Sequence, residues 1–111
     1  MKALKINVNG TMKIVNITGE TIEEQNQSIY NYLGGHFDIV RMGDDAVMLV
    51  DDEGLLKNLR PNTMAEMIAE RSLLVGTALI VGIMPTDDGE VFTDCPERYI
   101  RFRDTINMIY G

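Results

Sequence analysis

Ala46-Val47-Met48-Leu49-Val50 is apolar at every position. A strand with one wet face alternates, so an unbroken apolar run predicts a central strand covered on both faces. Thr77 to Met84 is a second almost wholly apolar stretch, closed by Pro85. Two such strands need strand neighbours beside them and layers above and below.

Working outward, Gly43-Asp44-Asp45 and Asp51-Asp52-Glu53-Gly54 are turns on either side of the first run. His36 to Met42 reads as a strand, paired with 46–50 as an antiparallel hairpin. Upstream, Thr21-Ile22-Glu23-Glu24 fits a capping box, in which hydroxyl and carboxylate satisfy each other's backbone donors. It predicts a helix over 22–33 with an apolar stripe of Ile22, Ile29, Tyr30 and Leu33, stopped by Gly34-Gly35. At the start, Leu4, Ile6 and Val8 alternate with Lys5, Asn7 and Asn9, the period of a strand with one wet face. Asn9-Gly10 is the signal of a type I′ hairpin turn. The return strand, Met12 to Thr18, changes phase at Val15 and Ile17, which suggests a bulge near Ile14.

Downstream, residues 55–76 are the least regular. Leu55, Leu56 and Leu59 are expected to tuck a loop onto the core. Pro61 biases Arg60 to extended backbone. Asn62 or Thr63 caps a short helix with Met64, Met67 and Ile68 on one side, Thr63-Met64-Ala65-Glu66 being a second capping-box match, and Gly76 ends the segment. Thr86-Asp87-Asp88-Gly89-Glu90 reads as a loop. Asp94 and Glu97 flank Pro96 at a helix start, and Tyr99, Phe102, Ile106 and Ile109 form the stripe of a C-terminal helix. The fold class is α+β: one domain over 1–111, mainly an antiparallel sheet of about five strands with about three helices.

Composition narrows the function. The chain has 111 residues and 12.5 kDa, one domain's worth. Apolar residues make up 45% and charged residues 24%, which argues against disorder. The net charge of −7 disfavours direct nucleic-acid binding, which rests on Lys and Arg neutralising phosphates. A single cysteine, Cys95, permits no internal disulfide and suits a reducing compartment. The opening residues hold no continuous apolar stretch of signal-peptide type, and Ala78–Met84 is far short of the roughly 20 residues of a membrane helix. The expectation is a cytoplasmic protein with no membrane partner.

No catalytic motif stands out. Asp51-Asp52-Glu53-Gly54 lacks the alternating ligands of a calcium loop and reads first as turn chemistry. Asp44-Asp45 and Asp87-Asp88 read the same way. One histidine, His36, and one cysteine make a zinc site improbable, so no metal and no cofactor are expected. Cys95 and His36 could meet as a nucleophile pair only in the fold; Cys95, at a helix start, could have a lowered pKa. The glycines form no phosphate loop; Gly82, inside a strand, marks a bulge or a close backbone approach. Eight methionines is a high count. Met48 and Met84 read as core, whereas Met64 and Met67 are candidates to face a partner. Residues 1–94 carry 7 bases and 15 acids, residues 95–111 carry 3 and 2. Arg98, Arg101 and Arg103 are the densest cationic feature, either a solvated helix face or a bidentate anion site.

Met1-Lys2-Ala3-Leu4-Lys5-Ile6, Gly34-Gly35, Asp51-Asp52-Glu53-Gly54, Leu56, Leu59, Pro61-Asn62, Val75-Gly76-Thr77 and Leu79-Ile80-Val81-Gly82 occur together. The combination resembles domain-of-unknown-function family 3846 over roughly residues 1–84, less distinctly from Thr86 on. The resemblance implies a small cytoplasmic accessory protein, often carried by phages or mobile elements. It supplies no catalytic residues, and points to Asn62 and the acidic turn as places to look for a pocket.

Three readings of function follow. The first is a non-enzymatic acidic binding protein that occupies a host protein partner, through some of Asp51, Asp52, Glu53, Arg60, Asn62, Met64, Met67, Arg98 and Arg101. The second is an oligomer that sequesters a nucleotide-like ligand, with Arg60, Arg98 and Arg101 converging on its phosphates. The third is a small enzyme using Cys95 and His36. An open edge at Met12–Thr18 could also pair two copies into a homodimer.

Overall fold

A computed structural model describes residues 1–110. In chain order the elements are β1 (Lys2–Ile6), β2 (Met12–Asn16), α1 (Ile22–Leu33), β3 (Phe37–Arg41), β4 (Ala46–Asp51), α2 (Thr63–Ala69), β5 (Ala78–Thr86), β6 (Gly89–Thr93) and α3 (Glu97–Tyr110). The class is α+β, with three helices and a six-stranded antiparallel sheet. The strand order is β2-β1-β5-β4-β3, and β6 pairs with the far half of β5.

β4 and β5 are central, as their unbroken apolar runs require. Their alternate residues feed two cores. Val47, Leu49, Leu79 and Val81 pack with Ile29 and Leu33 under α1. Met48, Val50, Ala78 and Ile80 pack on the other face with Ala65 of α2 and Ile100 of α3. Each strand therefore buries both of its faces, which a period-two pattern could not have allowed.

The capping box at Thr21 and Glu24 forms as read, and Gly34 takes the left-handed cap at φ 81°. The stripe is narrower than expected: Ser28, Ile29 and Leu33 are buried, while Ile22 and Tyr30 are exposed. In α3 likewise Ile100 is the buried residue and Ile109 is exposed. β1 is covered on both faces, because Ala3 lies beneath α1 and Lys5 is half-buried.

The first hairpin departs from a type I′ turn. Only Gly10 has positive φ, and the loop is closed by the Asn7 amide to the Thr11 carbonyl at 2.9 Å. Pairing from Lys2↔Asn16 to Ile6↔Met12 is unbroken, so there is no bulge at Ile14. The phase change has another cause: Ile17 lies past the strand end and folds under α1.

β5 does not stop at Pro85. It continues to Thr86 and turns back as β6, so the expected loop over 86–90 shrinks to a tight turn at Asp87-Asp88. The Ile83 amide points to the β4 side, donating to the Asp45 carbonyl at 2.9 Å. Residue 85 faces the same way, beyond the end of β4, so proline removes no ladder bond. Gly82 marks where β5 exchanges β1 for β6. A Cβ there would strike the Asp94 carbonyl oxygen, the close approach its position implied.

Candidate functional site

Beyond α2, the sheet face over Val40 and Val50 is covered by two loops, not by a helix. One is the acidic turn running on through Leu56; the other is Arg71–Val75. Between them opens a cleft of about 520 Å³. Its floor is buried Val40, Val50 and Leu74, and its polar lining includes Asp38, Asp52, Arg71 and Ser72. Its rim is apolar: Leu55 is 64% exposed, Leu56 85% and Leu73 72%. The expectation that Leu55 and Leu56 tuck into the core is therefore wrong.

The chain builds this rim by local bonding. In the acidic turn Asp51 Oδ1 accepts the Glu53 amide at 2.8 Å, and the Leu59 amide donates to the Gly54 carbonyl at 3.0 Å. Gly54 is buried against Val75, where a Cβ would lie 2.7 Å from Val75 Cγ2. Glycine there lets the two loops lie together. On the other side, α2 ends at Glu70 in left-handed backbone, well before Gly76. Leu73 is also left-handed, at φ 64°. That conformation costs a non-glycine residue about 1–2 kcal/mol. It is held by the Leu73 amide donating to Glu66 Oε2 at 2.7 Å and by the Asn62 amide donating to the Leu74 carbonyl at 2.9 Å. Glu66 is thus engaged with Leu73, and the α2 cap is Asn62, not a Thr63–Glu66 box.

The residues singled out in the sequence divide among several places. Asp51 is buried and its Oδ2 lies 2.7 Å from Lys57 Nζ. Burial pulls its pKa up, but Lys57 and the Glu53 amide outweigh burial and hold it below the usual carboxylate range. Asp52 lines the cleft, and Glu53 is exposed beside it. Asn62 is buried and its side chain is engaged within the chain. It accepts the Ala65 amide at 3.0 Å and donates to the Ile6 and Gly76 carbonyls at 3.1 and 2.8 Å.

Met67 and Arg98 line a second, smaller cleft of about 350 Å³ between α2 and α3, walled by Ile68, Tyr99 and Phe102. Met64 is half-buried at the foot of α2. Met84, read as core, is exposed; Met48 is fully buried. Arg98 is committed to Asp45 through two bonds of 2.8 and 2.7 Å and stacks 4.6 Å from the Tyr99 ring centre. Arg60 and Arg101 are exposed and line neither cleft, so the three arginines do not converge.

Cys95 and His36 are apart. The Cys95 amide bonds the Lys2 carbonyl on β1, whereas the His36 carbonyl accepts the Asp52 amide at the β3–β4 edge. Three strand spacings separate these rows, roughly 14 Å. Burial pushes the Cys95 thiol up to about 11, the reverse of the lowering its place at a helix start suggested. Among the described residues no group of three or more His, Cys, Asp or Glu could hold a metal ion. Among the described residues no helix is long and apolar enough to cross a membrane.

Leu55 and Leu56 are the rim residues expected in the core, while Leu73 carries no expectation from sequence. The signal was the adjacency of Leu55 to Leu56. In irregular backbone two neighbouring leucines cannot both face the same core.

No curated protein and no solved structure matches the chain significantly. The model of one family, described as domain of unknown function (DUF3846), matches residues 1–107, and so takes in β6 and most of α3 as well as the part carrying the motifs. This chain belongs to that family.

Proposed function

We propose that this chain is a binding module that holds an apolar, basic segment of a partner protein in the cleft between the acidic turn and the Arg71–Val75 loop. The observation that carries this reading is the rim of Leu55, Leu56 and Leu73, left in solvent around a floor that is itself core. Burying a leucine side chain yields about 1.5–3 kcal/mol, and monomers seldom leave several exposed together. Leu73 is displayed by strained backbone, which the surrounding bonds maintain at a cost to folding. Asp38 and Asp52 outnumber Arg71 in the lining, and with a net charge of −7 they favour a partner of opposite sign.

The test is affinity capture from the source cell with the wild type, Leu56→Asp and Leu73→Asp, followed by titration of the recovered protein with purified chain. A partner that binds the wild type directly and loses tenfold or more with either variant supports the reading. Capture indifferent to both variants rejects it.

A further inference from the structure

The strand path β2-β1-β5-β4-β3 ends on two edge strands, and the chain treats them differently. On β3 the outward amide of Ile39 is occupied by the Asp38 carboxylate at 2.9 Å, and Arg41 is paired with Glu90. A charged, self-bonded edge of this kind resists pairing. On β2 the Ile17 amide and carbonyl bond Met1, and the Thr11 carbonyl accepts the Asn7 amide. The odd-numbered residues therefore face β1. By alternation Met12, Ile14 and Asn16 present their amides and carbonyls outward. Among the described residues only the Asn16 carbonyl has a partner there, the Tyr32 hydroxyl at 3.0 Å.

Above this open edge lies uncovered apolar surface. α3 packs on the sheet face that carries Met12, and it contacts β2. Ile14, on that same face, is 40% exposed; Met108 is 87%, Ile109 64% and Tyr110 81% exposed. Together these four residues leave on the order of 600 Å² in solvent, against roughly 800 Å² per partner in a standard interface.

We infer that β2 pairs antiparallel with β2 of a second copy about a two-fold axis at Ile14, with the last turn of α3 from each copy packing over the joint. The arrangement is self-complementary. Ile14 meets Ile14, and Met12 meets Asn16, each pair aligning free donors with acceptors. Lys13 comes opposite Val15, so no like charges are placed directly across the joint. The region is also where two acidic bodies repel least, because residues 1–19 contain Lys2, Lys5 and Lys13 and no acid. The cleft is not part of this joint, so the two proposals stand or fall separately.

Size-exclusion chromatography with light scattering on the full chain, from about 1 to about 200 µM, tests the pairing. The expected mass rises from 12.5 kDa toward twice that value, at lower concentration when salt screens the net charge of −7 per copy. Ile109→Asp, which alters only exposed surface, weakens the dimer at least tenfold. Ile14→Pro, which removes an outward amide and no β1 bond, does the same, with folding checked by circular dichroism. Leu56→Asp in the cleft leaves the dimer unchanged. A wild type that stays at 12.5 kDa throughout overturns the inference, as does a dimer that neither Ile109→Asp nor Ile14→Pro weakens.

Discussion

Lys57 Nζ stands 2.7 Å from Asp51 Oδ2 and 3.1 Å from the Gly34 carbonyl, tying the end of α1 to the end of β4. The pair accounts for Gly35, where a Cβ would lie 2.5 Å from Lys57 Nζ and 2.7 Å from Asp51 Oδ2. Two features that read separately in the sequence, a double glycine after a helix and an acidic turn after a strand, are halves of one contact.

Removing the ammonium should reverse a pH dependence. In the wild type the folded Asp51 pKa lies below its ordinary value. Its stabilisation is therefore present above the unfolded carboxyl pKa of about 3.9 and is lost as pH falls through the folded value. In Lys57→Met, burial is opposed mainly by the Glu53 amide, a smaller effect, and the folded pKa rises. Stability then falls as pH rises from about 4 toward 6, where the wild type is flat. The loss at pH 7 is smaller than that of breaking a fully buried pair, because Lys57 is partly exposed and its charge is screened by solvent. Urea titrations at several pH values measure both the size and the sign.

Asn62→Ala should destabilise the chain by about 2–4 kcal/mol, because it leaves the buried Gly76 carbonyl unpaired, removes a second bond to the Ile6 carbonyl and removes a helix cap. The corresponding drop in melting temperature is about 10 °C or more. Differential scanning calorimetry reads it, and a drop of only a degree or two would mean that Asn62 does not join β1, α2 and the start of β5 as described.

Glycines of different type should differ in sensitivity. Gly82→Ala forces the Asp94 backbone or Thr93 aside and costs about 2–3 kcal/mol. Gly10→Ala meets nothing within 4 Å and carries only the strain of φ 89°, about 1 kcal/mol. Parallel denaturant curves rank them, and equal losses would contradict the close approach at Gly82.

The Cys95 thiol should be inert in the folded chain. With its pKa pushed up to about 11 by burial, almost none is thiolate at neutral pH. Ellman's reagent should react at the rate of unfolding in buffer and at once in denaturant. Fast labelling of the native chain would place the thiol in solvent.

The fold was legible where pattern and burial coincide. The apolar runs of β4 and β5 and the capping box of α1 each carry their own local signal. β6 was missed because Pro85 was read as a stop; only the register of β5 shows that its ring faces an open side. The Asp88-Gly89 dipeptide before Glu90-Val91-Phe92 was a hairpin signal that went unused. The cleft was half legible. Asp51 and Asp52 were marked as polar outliers, but Asp51 serves the structure and Asp52 the lining. The arginines misled because charge density along one helix says nothing about the carboxylate that Asp45 brings to Arg98. Leu73 gave no advance sign, since its left-handed backbone is imposed from outside by Glu66.

The most direct test of the account places a photo-crosslinking side chain at position 56, on the cleft rim, or at position 22, in the exposed groove by α1 on the opposite face, and irradiates the source cell. A discrete heavier adduct is expected from position 56, lost when Leu73→Asp is added, and none from position 22. No adduct from position 56, or the same adduct from both positions, would contradict it.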